Sequence, residues 1–206
     1  MTAMSSRWPE VVVLATRNAK KQAELQRILG QHSISVEVRT LADYPEYVED
    51  VVESEPDFQG NALLKARSVH RALGVAAIAD DSGLCVDALN GMPGVLSARW
   101  AGMHGDDRAN LDLVLDQLRD VPEQRRGAAF VAVVAFVSVD GDETVARGEM
   151  RGRINNEPQG DGGFGYDPIF VAEGQTRTNA ELTPSEKDAL SHRGEALAHL
   201  VAMLAG

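Results

Sequence analysis

Short apolar runs recur along the chain and predict buried β-strands. The first run covers residues 11–15, and a second covers residues 75–79. Uninterrupted apolar runs of this length are typical of strands that are covered on both faces. A longer, β-branched run over residues 128–139 is followed by Asp140-Gly141, a strong hairpin signal. Residues 143–150 are therefore expected to pair back onto that run.

Apolar residues at helical spacing separate these strands and predict helices. The first helix follows residues 16–18 and is expected to end at Gly30, because glycine commonly follows the last turn of a helix. Two more helices are predicted over residues 58–73 and 109–118. Near the C-terminus, the run Thr183-Pro184-Ser185-Glu186 has the N-cap, first-turn proline and capping box of a helix start. This last helix is expected to run to the end of the chain.

The mixture of strands and helices predicts a single α/β domain. Its sheet is expected to be mixed and elongated, with flanking helices and two lobes around a cleft. The 206 residues, 44% of them hydrophobic, are enough for a substantial core and contain no internal repeat or low-complexity linker. The domain is expected to span residues 1–206. Residues 1–8 are expected to form a flexible tail, because this polar stretch lacks the apolar region of a signal peptide.

Charge and cysteine content narrow the class of function. The formal net charge of -11 disfavours binding to polymeric nucleic acid, which requires a basic surface. A small anionic ligand remains compatible, because it needs only a local cluster of cations. The single cysteine, Cys85, excludes an internal disulfide and fits a reducing, cytoplasmic location. No apolar stretch approaches the roughly 18 residues that span a bilayer, so no membrane association is expected.

The stretch from Asp80 to Gly83 places two carboxylates, a hydroxyl and a glycine directly after the second apolar run. Adjacent carboxylates at the end of a strand are costly to leave unpaired, and Mg²⁺ prefers oxygen ligands and often shares a phosphate-bearing substrate. The alternative is an ordinary turn, because Asp and Ser bond their own backbone and Gly accepts a positive φ. Taken alone, the stretch favours the turn. The metal–phosphate interpretation depends on the other polar segments.

Three other polar segments also lie at the ends of predicted elements. Residues 16–21 lie between a strand and a helix, where free N–H groups and two lysines suit a phosphate. The glycine-rich residues 162–168 let a ligand approach the backbone closely, and Phe164 could stack on a flat base. In the last helix, Lys187 and Ser191 share a face, followed by a His-Arg pair. The structural alternatives are a capped helix with solvated lysines, a turn with core aromatics, and a charged helix surface.

In combination, these motifs resemble the Ham1-type inosine triphosphate pyrophosphatases, the non-canonical purine NTP pyrophosphatases. The matching segments follow the family's order over nearly the whole chain: residues 15–21, Phe58, Asn61-Ala62, Lys65-Ala66-Arg67, residues 78–84, Pro93-Gly94, Ser97-Ala98-Arg99, residues 162–170 and residues 186–193. The resemblance implies two lobes around a nucleotide-binding cleft, a homodimer and Mg²⁺ as cofactor. It also implies hydrolysis of ITP, dITP, XTP and dXTP to the monophosphate and pyrophosphate, which cleanses the nucleotide pool.

The resemblance also implies roles for individual residues. Asp81 matches the general base and a metal ligand, Asp80 its catalytic partner, and Ser82 a substrate contact. At the triphosphate, the matching substrate-binding positions are Thr16, Arg17, Asn18, Ala19, Lys20 and Lys21. At the base they are Phe164, Gly165, Tyr166 and Asp167, with Phe164 as the stacking ring. At the nucleotide and its 6-oxo group they are Lys187, His192 and Arg193. In the acidic stretch before the second helix, a glutamate replaces the family's usual glycine. Glu53 is the expected second metal ligand there, with Glu49 as its rival.

Two other classes of function stay open. The chain could be a non-catalytic nucleotide-binding regulator, although a binder does not need the pair Asp80-Asp81. It could also be a phosphatase that removes one phosphate at a time, although such enzymes often use an Asp-x-Asp spacing that this pair lacks. A related nucleotide pyrophosphatase that prefers pyrimidines would differ only in its substrate.

Overall fold

Strands and helices alternate along the chain in a computed structural model, which describes residues 8–47 and 51–205. The strands are β1 (Val11–Leu14), β2 (Glu37–Thr40), β3 (Ala76–Val86), β4 (Gly127–Val137), β5 (Glu143–Ile154) and β6 (Phe170–Ala172). The helices are α1 (Ala19–Gln31), α2 (Phe58–Leu73), α3 (Asp107–Gln117), α4 (Pro184–Ala189) and α5 (His192–Ala205). Short 3-10 turns join several of these elements.

The six strands form one sheet in the order β2-β1-β3-β4-β5-β6. β1 is parallel to both of its neighbours, β2 and β3, whereas β5 and β6 are antiparallel. β4 and β5 are the arms of the predicted hairpin, and Gly141 in the connection has a φ of 89°, a left-handed value that glycine adopts without strain. The predicted α/β fold, with a mixed sheet and flanking helices, is confirmed.

The chain divides into two compact units, and the first contains β1, β2 and the beginning of β3. It comprises the described residues up to Asp81, residues 132–148 and the residues from Arg193 onward. Because side chains alternate across a strand, this unit buries one apolar cluster on each face of its strands. Val12 belongs to a cluster formed with α1 and α5, and Val13 to a cluster formed with α2. The helices that carry polar site residues are thus fixed by packing.

The second unit comprises residues 82–131 and 149–192. Its core joins the end of β3 to α3, β4, β5 and β6. Ile169 and Phe170 are fully buried in this core directly after the glycine-rich segment. This packing anchors the C-terminal end of that segment.

β3 does not end at Ala79, so the alternative of a turn over Asp80 to Gly83 is wrong. The strand continues without interruption to Val86. The side chains of Asp80 and Asp81 contact residues of neighbouring helices. Packing explains why a glycine occupies position 83, because a Cβ there would collide with the main-chain oxygen of Gly94 and the hydroxyl of Ser97.

Local helix signals were accurate at some ends and wrong at others. α2 has the predicted bounds, and Thr183, Pro184 and Glu186 form the predicted cap of α4. The first helix passes Gly30 and ends at Gln31. The predicted C-terminal helix is two helices, since α4 ends at Ala189 and α5 begins at His192. Neither Gly nor Pro lies between these two helices, so the local sequence did not predict the break.

Of the expected N-terminal tail, residues 1–8, the structure describes only Trp8. Residues 1–7 of the expected tail lie outside the described residues. Trp8 packs on Phe136, with ring centroids 5.8 Å apart. No helix in the described part of the chain is long and apolar enough to cross a membrane.

Candidate active site

Asp80 and Asp81 lie side by side in β3 but face opposite ways. Successive side chains of a strand point to opposite faces of the sheet. Asp80 therefore lies on the face covered by α1 and α5, and Asp81 on the face covered by α2. The two carboxylates, although adjacent in sequence, therefore contact different side chains.

Asp80 is bound by two cations that the sequence predicted as nucleotide ligands. Lys21 Nζ lies 2.9 Å and 2.8 Å from the two carboxylate oxygens, and Arg193 Nε donates to Oδ2 at 3.2 Å. A terminal nitrogen of Arg193 also lies 3.7 Å from Glu24. Burial raises the pKa of Asp80, but Lys21, Arg193 and Lys65 outweigh it and hold that pKa well below its ordinary value. Asp80 therefore remains ionised and fixes Lys21 and Arg193.

Asp81 belongs to a second cluster on α2. The residue is 8% exposed, and its Oδ2 accepts a hydrogen bond of 3.0 Å from Asn61 Nδ2. Lys65 Nζ lies 3.8 Å from Asp81 Oδ1 and donates to Glu53 Oε1 at 2.7 Å. One ammonium thus contacts the two carboxylates that the sequence predicted as metal ligands.

The oxygens of Glu53 and Asp81 fit a hard cation. Both residues are carboxylates, the ligands that Mg²⁺ prefers, and both already face one cation, the ammonium of Lys65. Within residues 8–47 and 51–205, no group of three or more His, Cys, Asp or Glu side chains is arranged to hold a metal ion. Mg²⁺ is commonly bound by one or two carboxylates, with substrate phosphates and water completing its shell. The rival ligand Glu49 lies outside the described residues.

The segment before α1 is held by its own polar groups. Thr16 Oγ1 accepts the N–H of Asn18 at 3.2 Å, and Arg17 donates to the main-chain oxygen of Tyr47 at 2.9 Å. Asn18 and Ala19 are exposed at the start of the helix. The side chain of Lys20 lies outside what the structure describes. The alternative of solvated lysines does not hold for Lys21, which is paired with Asp80.

Phe164 is presented to solvent by the glycine-rich segment. Its side chain is 71% exposed, and Lys187 Nζ lies 4.5 Å from the centre of its ring. The next residue, Gly165, donates its N–H to Asp107 Oδ2 at 2.9 Å. An exposed aromatic ring on an anchored loop is suited to stacking on a planar ligand.

The other members of the predicted base-binding segment are internal. Asp167 is 2% exposed, and its Oδ2 accepts bonds from the N–H of Phe164 at 2.8 Å and from Lys187 Nζ at 2.5 Å. Tyr166 is buried and donates its hydroxyl proton to the main-chain oxygen of Ser97 at 2.8 Å. Burial and the charge of Asp107 raise the pKa of Tyr166, which stays neutral. Both residues shape the loop that carries Phe164.

The two remaining predicted residues, Ser82 and His192, lie in β3 and at the start of α5. Ser82 follows Asp81 and is half-buried. The imidazole of His192 stacks on Phe130, with ring centroids 5.4 Å apart and planes at 18°. Ser191 lies outside both α4 and α5, so the predicted helical face shared with Lys187 does not exist.

Four residues that the structure places around the predicted ones were not among the predicted site residues. Asn61 and Lys65 contact Asp81, Glu24 lies near Arg193, and Asp107 holds the loop at Gly165. Asn61 and Lys65 are four residues apart in a predicted helix, and this spacing was the available signal. The contacts of Glu24 and Asp107 join distant parts of the chain and carry no such signal.

The fold and these clusters define a class of protein. It is an α/β protein in which buried carboxylates of a central strand face lysines, an arrangement suited to a phosphate-bearing ligand and a hard cation. The model of the Ham1 family matches residues 12–203, and the chain belongs to this family. The resemblance found in the sequence motifs is therefore confirmed.

Named relatives and solved structures give the same result. The chain is 57% identical to the dITP/XTP pyrophosphatase of Mycobacteroides abscessus, over 94% of each protein. It is 56% identical to the dITP/XTP pyrophosphatase of Corynebacterium efficiens, over 94% of this chain and 97% of the relative. The solved Ham1 protein of Staphylococcus aureus superposes with a TM-score of 0.86 at 36% identity, over 94% of this chain and 97% of the other.

Proposed function

We propose that this chain is a nucleoside triphosphate pyrophosphatase that hydrolyses dITP, ITP, XTP and dXTP to the monophosphate and pyrophosphate, cleansing the nucleotide pool. The observation that carries the proposal is the buried carboxylate of Asp81, held by Asn61 and facing the ammonium that Glu53 binds. Relatives that are 57% and 56% identical are dITP/XTP pyrophosphatases, which supports the substrate class.

Asp81 acts as the general base. Its carboxylate orients a water molecule and accepts the proton of that water as the water oxygen attacks the α-phosphorus. The bond between the α-phosphorus and the bridging oxygen breaks, and pyrophosphate leaves with that oxygen. Asn61 supports this role, because its amide occupies one lone pair of Oδ2 and fixes the orientation of the carboxylate. Asp81 and Glu53 would hold Mg²⁺, which would supply neutralisation of charge on the phosphate oxygens.

Lysines at the site bind the triphosphate. Lys20, Lys21 and Lys65 are the cations proposed to hold the leaving pyrophosphate, together with the N–H groups at the start of α1. Asp80 supports the role of Lys21, since it holds that ammonium through both carboxylate oxygens. We therefore assign Asp80 to positioning Lys21 and Arg193.

The purine base is recognised by stacking and by donors. Phe164 supplies an exposed ring for stacking, and Lys187 and Asp167 hold the loop that carries it. Arg193 is a hydrogen-bond donor only, so it favours a 6-oxo purine over the 6-amino group of adenine. The bond from Arg193 Nε to Asp80 supports this role by orienting the guanidinium.

A cytoplasmic homodimer completes the proposal. Trp100 and Met103 are candidates for its surface, and Met103 is 71% exposed. Sedimentation equilibrium tests the dimer: a mass twice that of the chain supports it, and the mass of one chain contradicts it.

Product analysis tests the proposed reaction. The purified chain is incubated with ITP, XTP, dITP, ATP or GTP, with Mg²⁺ or with EDTA, and pyrophosphate and orthophosphate are measured separately. Metal-dependent pyrophosphate from the inosine and xanthine nucleotides, with little from ATP or GTP, is the expected result. Orthophosphate would instead indicate a phosphatase, and binding without either product would indicate a regulator.

A further inference from the structure

Lys65 occupies the position between two carboxylates where a cation would be expected. Its Nζ lies 2.7 Å from Glu53 Oε1 and 3.8 Å from Asp81 Oδ1. The side chains of Lys65 and Asp81 are 18% and 9% exposed. The Lys65 ammonium therefore already offsets part of the negative charge of the carboxylates that form the proposed metal site, in an environment only partly open to water, since the Glu53 side chain is 31% exposed.

We propose that Lys65 is a positioning residue that stands in for the metal ion in the nucleotide-free protein. It holds Glu53 and Asp81 at one cation, and it opposes the binding of a bare divalent ion until phosphates arrive. This inference rests on the proposed function of the site and adds the order in which the metal and the nucleotide bind there. The metal then binds together with the nucleotide and only weakly before it.

Charge at short range is the basis of this inference. Two carboxylates with one ammonium carry one net negative charge, whereas the same carboxylates without it carry two. A divalent ion at these oxygens would also lie within a few ångströms of the ammonium, and like charges at that distance repel strongly where water is partly excluded. Removing the charge of Lys65 should therefore strengthen binding of the bare ion.

A phosphate removes this opposition. The lysine ammonium is a compact charge on a flexible four-carbon stem, so it can exchange a carboxylate for a phosphate oxygen by rotating that stem. Asn61 binds the other oxygen of Asp81, so the carboxylate keeps a partner when Lys65 moves. Because binding free energies are reciprocal, a phosphate that attracts Lys65 strengthens metal binding, and the metal strengthens phosphate binding to the same degree.

Metal affinity of the nucleotide-free chain tests this inference. Free Mn²⁺ is counted by electron paramagnetic resonance during titration of the unmodified chain and of Lys65→Met, and Mg²⁺ is then used as a competitor. We expect Lys65→Met to bind Mn²⁺ about tenfold more tightly than the unmodified chain. Lys65→Gln is a second neutral variant and gives the same comparison if methionine is not tolerated. Circular dichroism verifies that each variant is folded.

Matched variants separate the local effect from a general change in charge. Arg67→Met removes one positive charge two residues away on α2, where Arg67 pairs with Glu143 at 2.6 Å, and should change the affinity less than about twofold. Lys65→Arg retains the charge and should resemble the unmodified chain. Adding Glu53→Gln to Lys65→Met should abolish the gain. The inference is overturned if the neutral variants bind Mn²⁺ no more tightly than the unmodified chain, or if Arg67→Met gains as much.

These measurements need no turnover, so they are independent of the proposed reaction. Failure of the reaction itself appears as an absence of pyrophosphate from the unmodified chain. A chain that releases pyrophosphate while Lys65→Met binds Mn²⁺ no more tightly would retain the proposed function and lose the role of Lys65.

Discussion

Asp80 and Asp81 are consecutive residues of β3 whose carboxylates point to opposite faces of the strand and contact different cations. Asp80 binds Lys21 and Arg193, and Asp81 is held by Asn61 close to Lys65. A strand can do this because its side chains alternate. In the proposed mechanism the pair therefore separates two tasks, namely positioning cations on one face and activating water on the other.

Replacing Asp81 tests the catalytic face. In Asp81→Asn the amide can still contact Asn61, but it cannot accept a proton from water or ligate a metal as a carboxylate does. We expect kcat for dITP to fall about 10²–10⁴-fold, with the melting temperature little changed. Steady-state pyrophosphate release measures the effect, and near-normal turnover in this variant would remove Asp81 from the mechanism.

Replacing Asp80 should instead affect stability. Asp80→Asn leaves Lys21 and Arg193 without their carboxylate, and these cations are only 28% and 22% exposed. We expect the free energy of unfolding to fall by about 2–3 kcal/mol, below the usual cost of breaking a fully buried pair because the cations are partly solvated. Urea unfolding measures this. Glu143→Gln, which breaks the pair with Arg67, is the matched control and should cost less than about 1 kcal/mol; equal losses in the two variants would contradict the assignment.

The ion pairs of Asp80 should also affect how the free energy of unfolding depends on pH. The pKa of Asp80 is lower in the folded chain than in the unfolded chain, because Lys21 and Arg193 outweigh the opposing effect of burial. A carboxyl of this kind stabilises the fold above its unfolded pKa, about 3.9, and that contribution is lost as the pH falls through the folded pKa. Below about pH 4, the unfolding free energy of the unmodified chain should decrease more steeply than that of Asp80→Asn. Parallel curves for the two proteins would argue against this coupling.

Phe164 should contribute to binding the base more than to the chemical step. Its ring is 71% exposed and lies on an anchored loop. Phe164→Ala is expected to raise KM for dITP about 5- to 150-fold, the equivalent of ~1–3 kcal/mol of stacking, while Phe164→Tyr retains the stacking face. Val139→Ala, at another exposed apolar position, is the control and should leave KM unchanged. An unaltered KM in Phe164→Ala would exclude stacking by this ring.

Base preference provides a test of Arg193. Its guanidinium is oriented by Asp80, and it can only donate. Arg193→Ala is expected to reduce the ratio of kcat/KM for ITP to that for ATP, whereas Arg193→Lys, which keeps the charge beside Asp80, should preserve the fold and lose part of the ratio. If both variants retain the full preference for ITP, the 6-oxo group is recognised elsewhere.

Local signals allowed part of this fold to be predicted from the sequence. The bounds of α2 and the cap at Thr183 were predicted because the signals of capping and spacing lie within a few residues. The continuation of β3 past Ala79 was not, because its polar residues are stabilised by side chains distant in sequence, such as Lys21. The break between α4 and α5 contains no helix-breaking residue and depends on tertiary packing.

For the site too, local motifs allowed a prediction, whereas contacts between residues distant in sequence did not. Motif resemblance led to Asp81, Lys21 and Arg193, but it did not indicate that the last two share Asp80. The four lysines of the chain are Lys20, Lys21, Lys65 and Lys187, and all of them fall in the motif segments. The contact of Lys65 with both Glu53 and Asp81 depends on the fold and was not predicted. Tyr166 and Asp167, which are predicted at the base, are buried, and this role stays a prediction.

The position of the water oxygen in the products tests most sharply whether water attacks the α-phosphorus. Hydrolysis of dITP in H₂¹⁸O with Mg²⁺ is followed by mass spectrometry of both products. We expect attack on the α-phosphorus, which places the label in dIMP and leaves the pyrophosphate unlabelled. Label in the pyrophosphate, or orthophosphate as the labelled product, would contradict it, because water would then have attacked a different phosphorus atom.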